Sequence, residues 1–250
     1  MNEKLIVAHR GESFIAPENT LSSINLAWQN GADAVEIDIR LTKDNQVVVI
    51  HDAHTFRLAR KLKWIRNSFL KDIKKLDVGK YKNKKYKGEQ IPTLLEILKT
   101  VPENKKILIE IKSGSRVIPY LENAIHDSRL KPNQIEIISF NINVLVEVRK
   151  KLPEFSVFLI SELDYYWIRK VFRPSIDRLI LKVVKYNLNG LDLWAGQMLD
   201  IETIKKIKSA GLRLYIWTVN NPGKAKMLFE WGVDGITTDR AKWLKDQLNS

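Results

Sequence analysis

The chain has 250 residues, 44% of them hydrophobic and 28% charged, no cysteine and a formal net charge of +13. That length and apolar content suit a folded domain able to bury a full core. The missing cysteines exclude disulfides and thiolate metal sites, so any metal must be held by oxygen or imidazole. No segment has the length or apolarity of a membrane span, and the opening MNEKLIVAHR lacks the apolar stretch of a signal peptide; a cytoplasmic location is expected.

In chain order, the strand candidates are residues 5–8, 34–39, 107–111, 135–140, 156–160, a strand around 179–194, 212–218 and 235–238. Between them, helical periodicity marks 20–30, 94–99, 117–127, 142–151, 201–210 and 222–231, with Gly31 and Gly211 where helix C-caps are expected. Strands alternating with helices predict a parallel sheet, and eight such strands predict a closed (β/α)8 TIM barrel forming a single domain over 1–250. A ninth β-like run, 46–50, follows too closely for a parallel partner. It reads as the return arm of a hairpin with a two-residue turn at Asp44-Asn45, which would set His51 opposite Asp38. Residues 53–90 fit no βα unit and form an insertion. From Arg57 to Lys87 it carries thirteen Lys/Arg against two Asp, and a charge run of this kind is ordinarily a solvated face.

The chemistry-bearing residues fall at strand ends. His9 and Arg10 close the first strand. Glu36 and Asp38, two apart, share one face of the second. Glu110 and Lys112 do the same on the third, and Trp217 ends the seventh. In a parallel barrel all of these converge on one mouth. Three carboxylates without sulfur suit a single hard divalent cation, Mg2+ or Ca2+ or else Mn2+. Two flanking histidines can exchange protons near neutral pH, and Arg10 and Lys112 suit an anionic centre such as phosphate. Any one of these residues alone has an ordinary structural reading. The combination would demand several buried charges with no task.

The same residues carry a family resemblance over nearly the full chain. His9-Arg10-Gly11 with Pro17-Glu18-Asn19-Thr20, Gly31-Ala32-Asp33 with Glu36 and Asp38, and His51-Asp52 come first. Ile91-Pro92-Thr93-Leu94, Glu110-Ile111-Lys112, Ser139-Phe140, Trp217-Thr218-Val219-Asn220, Gly232-Val233-Asp234-Gly235 and Thr238-Asp239 follow in order. Together they resemble the glycerophosphodiester phosphodiesterases. The resemblance implies a (β/α)8 barrel that hydrolyses glycerophosphodiesters, small-molecule substrates, to sn-glycerol 3-phosphate and an alcohol. It further implies Glu36, Asp38 and Glu110 as ligands of the divalent ion and His9 and His51 as the acid/base pair. Arg10 and Lys112 would hold the phosphate, Trp217 would pack on the substrate, and a cyclic phosphate would form by attack of the glycerol 2-hydroxyl.

The chain departs from the family pattern at Ala241, where a proline is usual, at Glu12, which places another acid near the expected site, and at Lys82-Asn83, where aromatic residues are usual. An alternative reading is a lysophospholipase D-like enzyme on the same scaffold. KLKWIRNSFL at 61–70 and LDYYWIRKVFRP at 163–174 interleave aromatics with cations, as suits peripheral contact with an anionic membrane. No nucleic-acid partner is expected, since the charge comes with no recognised nucleic-acid module.

Overall fold

A computed structural model of the chain describes residues 4–163 and 175–249. Among the described residues nine strands form one sheet: β1 (Leu5–His9), β2 (Ala34–Leu41), β3 (Val47–Val49), β4 (Lys106–Ile111), β5 (Ile135–Ser139), β6 (Ser156–Ser161), β7 (Gly190–Trp194), β8 (Arg213–Trp217) and β9 (Gly235–Thr238). All but β3 are parallel, and β1 pairs with both β2 and β9, closing an eight-stranded barrel. The helices after the strands include α1 (Leu21–Gln29), α5 (Ile118–Ser128), α6 (Ile142–Lys151), α7 (Ile176–Lys185), α8 (Ile201–Ser209), α9 (Pro222–Glu230) and α10 (Ala241–Asn249). The insertion holds the short α2 (Phe56–Ala59) and α3 (Leu70–Ile73), and α4 (Leu94–Leu98) follows it. None of the described helices is long and apolar enough to cross a membrane.

Period-two alternation sorts each barrel strand into two faces. Val35, Ile37 and Ile39 point outward into the main core, against helix residues such as Ile24, Leu121 and Leu145. Leu5, Val7, Ala34, Leu108, Ile138, Phe158, Ile160 and Tyr215 fill the interior as a second cluster. Tyr215 stacks on Phe158 at 4.8 Å, and Gly235 makes the room: a Cβ there would lie 2.7 Å from the Tyr215 ring. Below the rings, Glu136 pairs with Arg213 at 2.7 Å. Strands buried on both faces read as nearly continuous apolar runs, so the acids within them stand out.

Two local expectations change. Residues around 179–194 are not one strand: Ser175 caps α7, whose Leu179 and Val183 are buried one helical turn apart, and β7 begins only at Gly190. The hairpin turn has three residues rather than two. Thr42 and Gln46 are its hydrogen-bonded ends, and Asn45 takes a left-handed conformation (φ 60°), as three-residue hairpin loops require. The extra residue moves the register by one, so Ile50, not His51, lies opposite Asp38, its N–H donating to the Asp38 carbonyl at 2.8 Å. The insertion is no loose tail: Leu58, Ile65, Ile73 and Val78 form a small core with Val48, Ile50 and Ile91 over β3.

Candidate active site

The site is built on the topmost inward residues of the barrel. At the end of β1, Arg10 (φ 55°) and Gly11 (φ 83°) are both left-handed, and a Cβ on Gly11 would strike the Ser23 backbone at 2.6 Å. This turn aims the Arg10 N–H at Glu36 Oε2 (3.1 Å) and folds its guanidinium back to Asp38 Oδ2 (3.2 Å) and Glu18 Oε1 (2.9 Å).

Glu36, Asp38 and Glu110 each present an oxygen, all within 4.8 Å of one another, and all three residues are buried. One oxygen-coordinated ion, with bonds of about 2.0–2.6 Å, spans such a spacing. Lys112 Nζ lies 2.6 Å from Glu110 Oε1 and 3.2 Å from Asp38 Oδ1, outside good hydrogen-bond angles, and Glu36 Oε1 has no hydrogen-bond partner. A buried carboxylate oxygen without a partner is costly unless a cation meets it, so these residues fit a divalent ion.

The charges divide the three acids. Burial, reinforced by Asp38 and Glu110, pushes Glu36 well above the ordinary carboxylate range. Burial and Asp38 push Glu110 up to about 7 against the pull of Lys112. At Asp38 burial acts in the same direction, but Arg10, Lys112 and His51 outweigh it and hold the carboxyl at about 2. Asn19 adds Nδ2 donation to Asp38 Oδ2 at 2.8 Å.

Each of the two site histidines, His9 and His51, is oriented by an acid at Nδ1, leaving Nε2 for chemistry. His9 Nδ1 is 2.7 Å from Asp239 Oδ1, and Asn220 Nδ2 donates to the other Asp239 oxygen at 2.8 Å. Burial works against ionisation of Asp239, yet His9 and Asn220 hold it at about 2. His51 Nδ1 is 2.9 Å from Asp52 Oδ1. Arg57 then joins Asp52 Oδ2 (2.7 Å) to both oxygens of Glu18 (2.7 Å each), completing a relay from His51 to Arg10. Burial lowers the His51 imidazole below its ordinary value, helped by Arg10 and Lys112 and opposed by Asp38.

His9, Arg10, Glu36, His51, Glu110, Lys112 and Trp217 line one cavity of about 250 Å3. Asp38 lies beneath it in the carboxylate cluster. Trp217 donates from Nε1 to the Asp192 carbonyl (3.3 Å) and meets Phe140 edge-on at 5.9 Å, forming an apolar wall of the cavity. A concave pocket joining paired histidines, fixed cations and a carboxylate cluster is equipped for attack at phosphorus.

The profile of the glycerophosphoryl diester phosphodiesterase family matches residues 9–242. The chain belongs to this family. It is 32% identical over 239 residues to the glycerophosphodiester phosphodiesterase of Caldanaerobacter subterraneus subsp. tengcongensis, covering 94% of this chain and 93% of that one. A glycerophosphodiester phosphodiesterase of Bacillus subtilis is also 32% identical, over 94% of this chain and 83% of its own length. The structure of an Oleispira antarctica phosphodiesterase in complex with its product sn-glycerol-3-phosphate superposes with a TM-score of 0.87 at 27% identity, covering 98% and 97% of the two chains.

Within this glycerophosphodiester phosphodiesterase, sequence reasoning missed the second tier of the site. Glu18, Asp52, Asn220 and Asp239 lie in the motifs that carry the resemblance, but nothing local assigns them their roles as partners, and Arg57 stands in no motif at all. Asp192 does carry a local signal: it is an acid inside an apolar strand, as Glu36 and Asp38 are, and it lines the same cavity. The misplaced strand around 179–194 hid that alternation. Glu12 also corrects an expectation. Rather than facing the site, it turns away, and its Oε2 accepts from the Lys242 N–H (3.3 Å) at the start of α10, next to Ala241. Lys82 does reach the mouth, donating to the Ser13 carbonyl at 2.6 Å. Of the second aromatic-basic segment, residues 164–174 lie outside the described residues.

Proposed function

We propose that this glycerophosphodiester phosphodiesterase, acting as one domain over 1–250 with its insertion included, hydrolyses its substrate with His9 and His51 as the acid/base pair. Arg10 and Lys112 hold the phosphate, and Trp217 packs on the glycerol. Glu36, Asp38 and Glu110 hold one divalent ion, Mg2+, Ca2+ or Mn2+, which when bound supplies positive charge against the phosphate oxygens. One imidazole takes the proton of the glycerol 2-hydroxyl as that oxygen attacks phosphorus. The other gives a proton to the departing alcohol, leaving a cyclic phosphate. The histidines then exchange roles while water opens the ring to sn-glycerol 3-phosphate. Tethering the nucleophile to its own phosphorus removes most of the entropic cost of attack.

The observation that carries this reading is the convergence of two carboxylate-oriented imidazoles, two fixed cations and the three-carboxylate cluster on one cavity. Release of glycerol 3-phosphate from glycerophosphocholine, lost on chelation and restored by a divalent salt, tests the metal. The 2-deoxy analogue of that substrate tests the path: it is expected to be inert, and turnover at the normal rate would eliminate the cyclic phosphate.

A second reading has its own observation. Leu62, Trp64 and Phe69 are exposed on the cationic insertion, as a surface resting on anionic lipid would be. In that reading the enzyme acts as a lysophospholipase D on lysophospholipids at the membrane. Co-flotation with anionic vesicles and turnover of lysophosphatidylcholine would support it; failure of both would remove it.

A further inference from the structure

Beside the catalytic cavity lies a larger one, of about 560 Å3, whose lining includes Arg40, Lys43, Arg66, Lys112 and Arg116 and, among the described residues, no carboxylate. Lys112 lines both cavities, so the two are neighbours at this residue. Arg40 is fixed by donating from Nε (2.8 Å) and Nη2 (2.6 Å) to the His51 carbonyl, which ties the groove to the backbone of a proposed catalytic residue. Arg116 is steadied by Asn45 Oδ1 at 3.0 Å, and Lys43 Nζ sits 4.9 Å above the Phe69 ring. Among the described residues, Arg40, Lys43, Arg66 and Arg116 form no ion pair with an acid, whereas the cations Arg10, Arg57 and Lys112 around the catalytic cavity all do. Lys43, Arg66 and Arg116, unpaired with acids among the described residues, stand in one concavity with Arg40, which feels Asp38, Asp52 and Glu110 only at longer range. Together they make a site for a multiply charged anion, and arginine suits phosphate in particular.

We propose that this groove is a subsite for a second phosphate, carried on the alcohol that the reaction releases. The preferred substrate is then a glycerophosphodiester whose leaving alcohol is itself phosphorylated. The inference rests on the phosphodiesterase reading of the adjoining cavity and adds to it a class of leaving group. One P–O ester bond is exchanged for one from water, the released alcohol takes a proton, and its own phosphate leaves unchanged. Arg66 and Arg116 act as specificity residues and touch no reacting atom. A recessed groove of this volume accepts a discrete anionic group, whereas a bilayer would meet cations on a projecting rim. The soluble phosphorylated alcohol is therefore the favoured occupant.

The test uses the full chain and a matched pair of substrates, glycerophosphoglycerol and the same compound phosphorylated on its terminal hydroxyl. At low ionic strength kcat/KM should favour the phosphorylated substrate by about tenfold or more, and the advantage should shrink as salt is raised. In the Arg66→Ala/Arg116→Ala variant the ratio of the two kcat/KM values should fall to near one. In a Lys61→Ala/Lys71→Ala variant, which alters the insertion's charge outside the groove, it should persist. Equal turnover of both substrates by the unaltered protein would overturn the subsite while leaving the phosphodiesterase reading intact. So would a ratio that survives in the double-arginine variant while its binding to anionic vesicles is lost, since the cations would then serve a lipid surface. Turnover of neither substrate would overturn both.

Discussion

Replacing Asp239 with asparagine keeps the shape of the acid behind His9 and removes only its charge and its uniform acceptor character. Normally an amide could rotate to offer its oxygen to His9 Nδ1. Here Asn220 prevents that. Its Nδ2 donates to the far oxygen of residue 239 at 2.8 Å, while its Oδ1 is engaged by the Thr238 hydroxyl (2.8 Å) and the Asp239 N–H (3.0 Å). The introduced amide must therefore turn its oxygen to Asn220 and its NH2 to His9. That makes Nδ1 an acceptor, moves the ring proton to Nε2, and presents the cavity with the wrong tautomer. A serine protease altered in the equivalent way loses about 10^4 in kcat. The His9–Asp239 contact is short (2.7 Å) but only partly buried, so we expect a loss of about 10^3, or roughly 4 kcal/mol of transition-state stabilisation. Steady-state release of glycerol 3-phosphate from glycerophosphocholine measures it, and the loss should fall on kcat with KM little changed. Adding Asn220→Ala should free the amide to rotate and recover part of the rate. A loss under tenfold, or one confined to KM, would refute the tautomer argument.

Glu36→Gln removes one ligand charge and should weaken Mg2+ or Ca2+ binding by about 100-fold or more, read by calorimetric titration; unchanged affinity would take Glu36 out of the ion's ligand set. Trp217→Ala should raise KM about tenfold with a smaller change in kcat, because it removes an apolar wall rather than a reacting group; the reverse split would mean that Trp217 acts in the chemical step. Asp239 is held at about 2, so the stability it contributes is complete above its ordinary value near 3.8 and is lost as pH falls toward 2. Urea midpoints of the parent and of Asp239→Asn should therefore converge across that window, and a constant gap down to pH 2 would exclude the linkage. Gly235→Ala would set a methyl against the Tyr215 ring and should cost about 1–3 kcal/mol in urea unfolding; a cost under 0.5 kcal/mol would mean the barrel floor is not tightly packed.

The first tier of the site is legible in the chain because burial makes it conspicuous. An acid such as Glu36 or Glu110 inside an apolar strand has few explanations, and period-two spacing fixes its face. The barrel itself follows from counting alternating runs. What the chain conceals is set by distant contacts. Asp239 matters because it meets His9 across 230 positions, and Arg57 stands among thirteen cations with nothing local to distinguish it. The helix α7 is disguised by its run Leu179-Ile180-Leu181-Lys182-Val183-Val184, whose β-branched and apolar residues read as a strand although its buried face keeps helical spacing. The hairpin register turns on the left-handed conformation of one asparagine. His51 still reaches the cavity because the ladder ends near Ile50, where Arg40 anchors the departing backbone at the His51 carbonyl.

The hydrogen bond between His9 and Asp239 has a consequence for the chain during its synthesis. The first barrel strand ends in an imidazole whose orienting acid comes after the last one, and β1 cannot complete its pairing until β9 lies beside it. A nascent chain that has emerged only through its carboxylate cluster holds the three acids and His51, yet has neither a closed barrel nor an oriented His9. Hydrolytic competence therefore arrives late and at once, with ring closure, and unfinished or truncated chains are expected to be inert rather than weakly active.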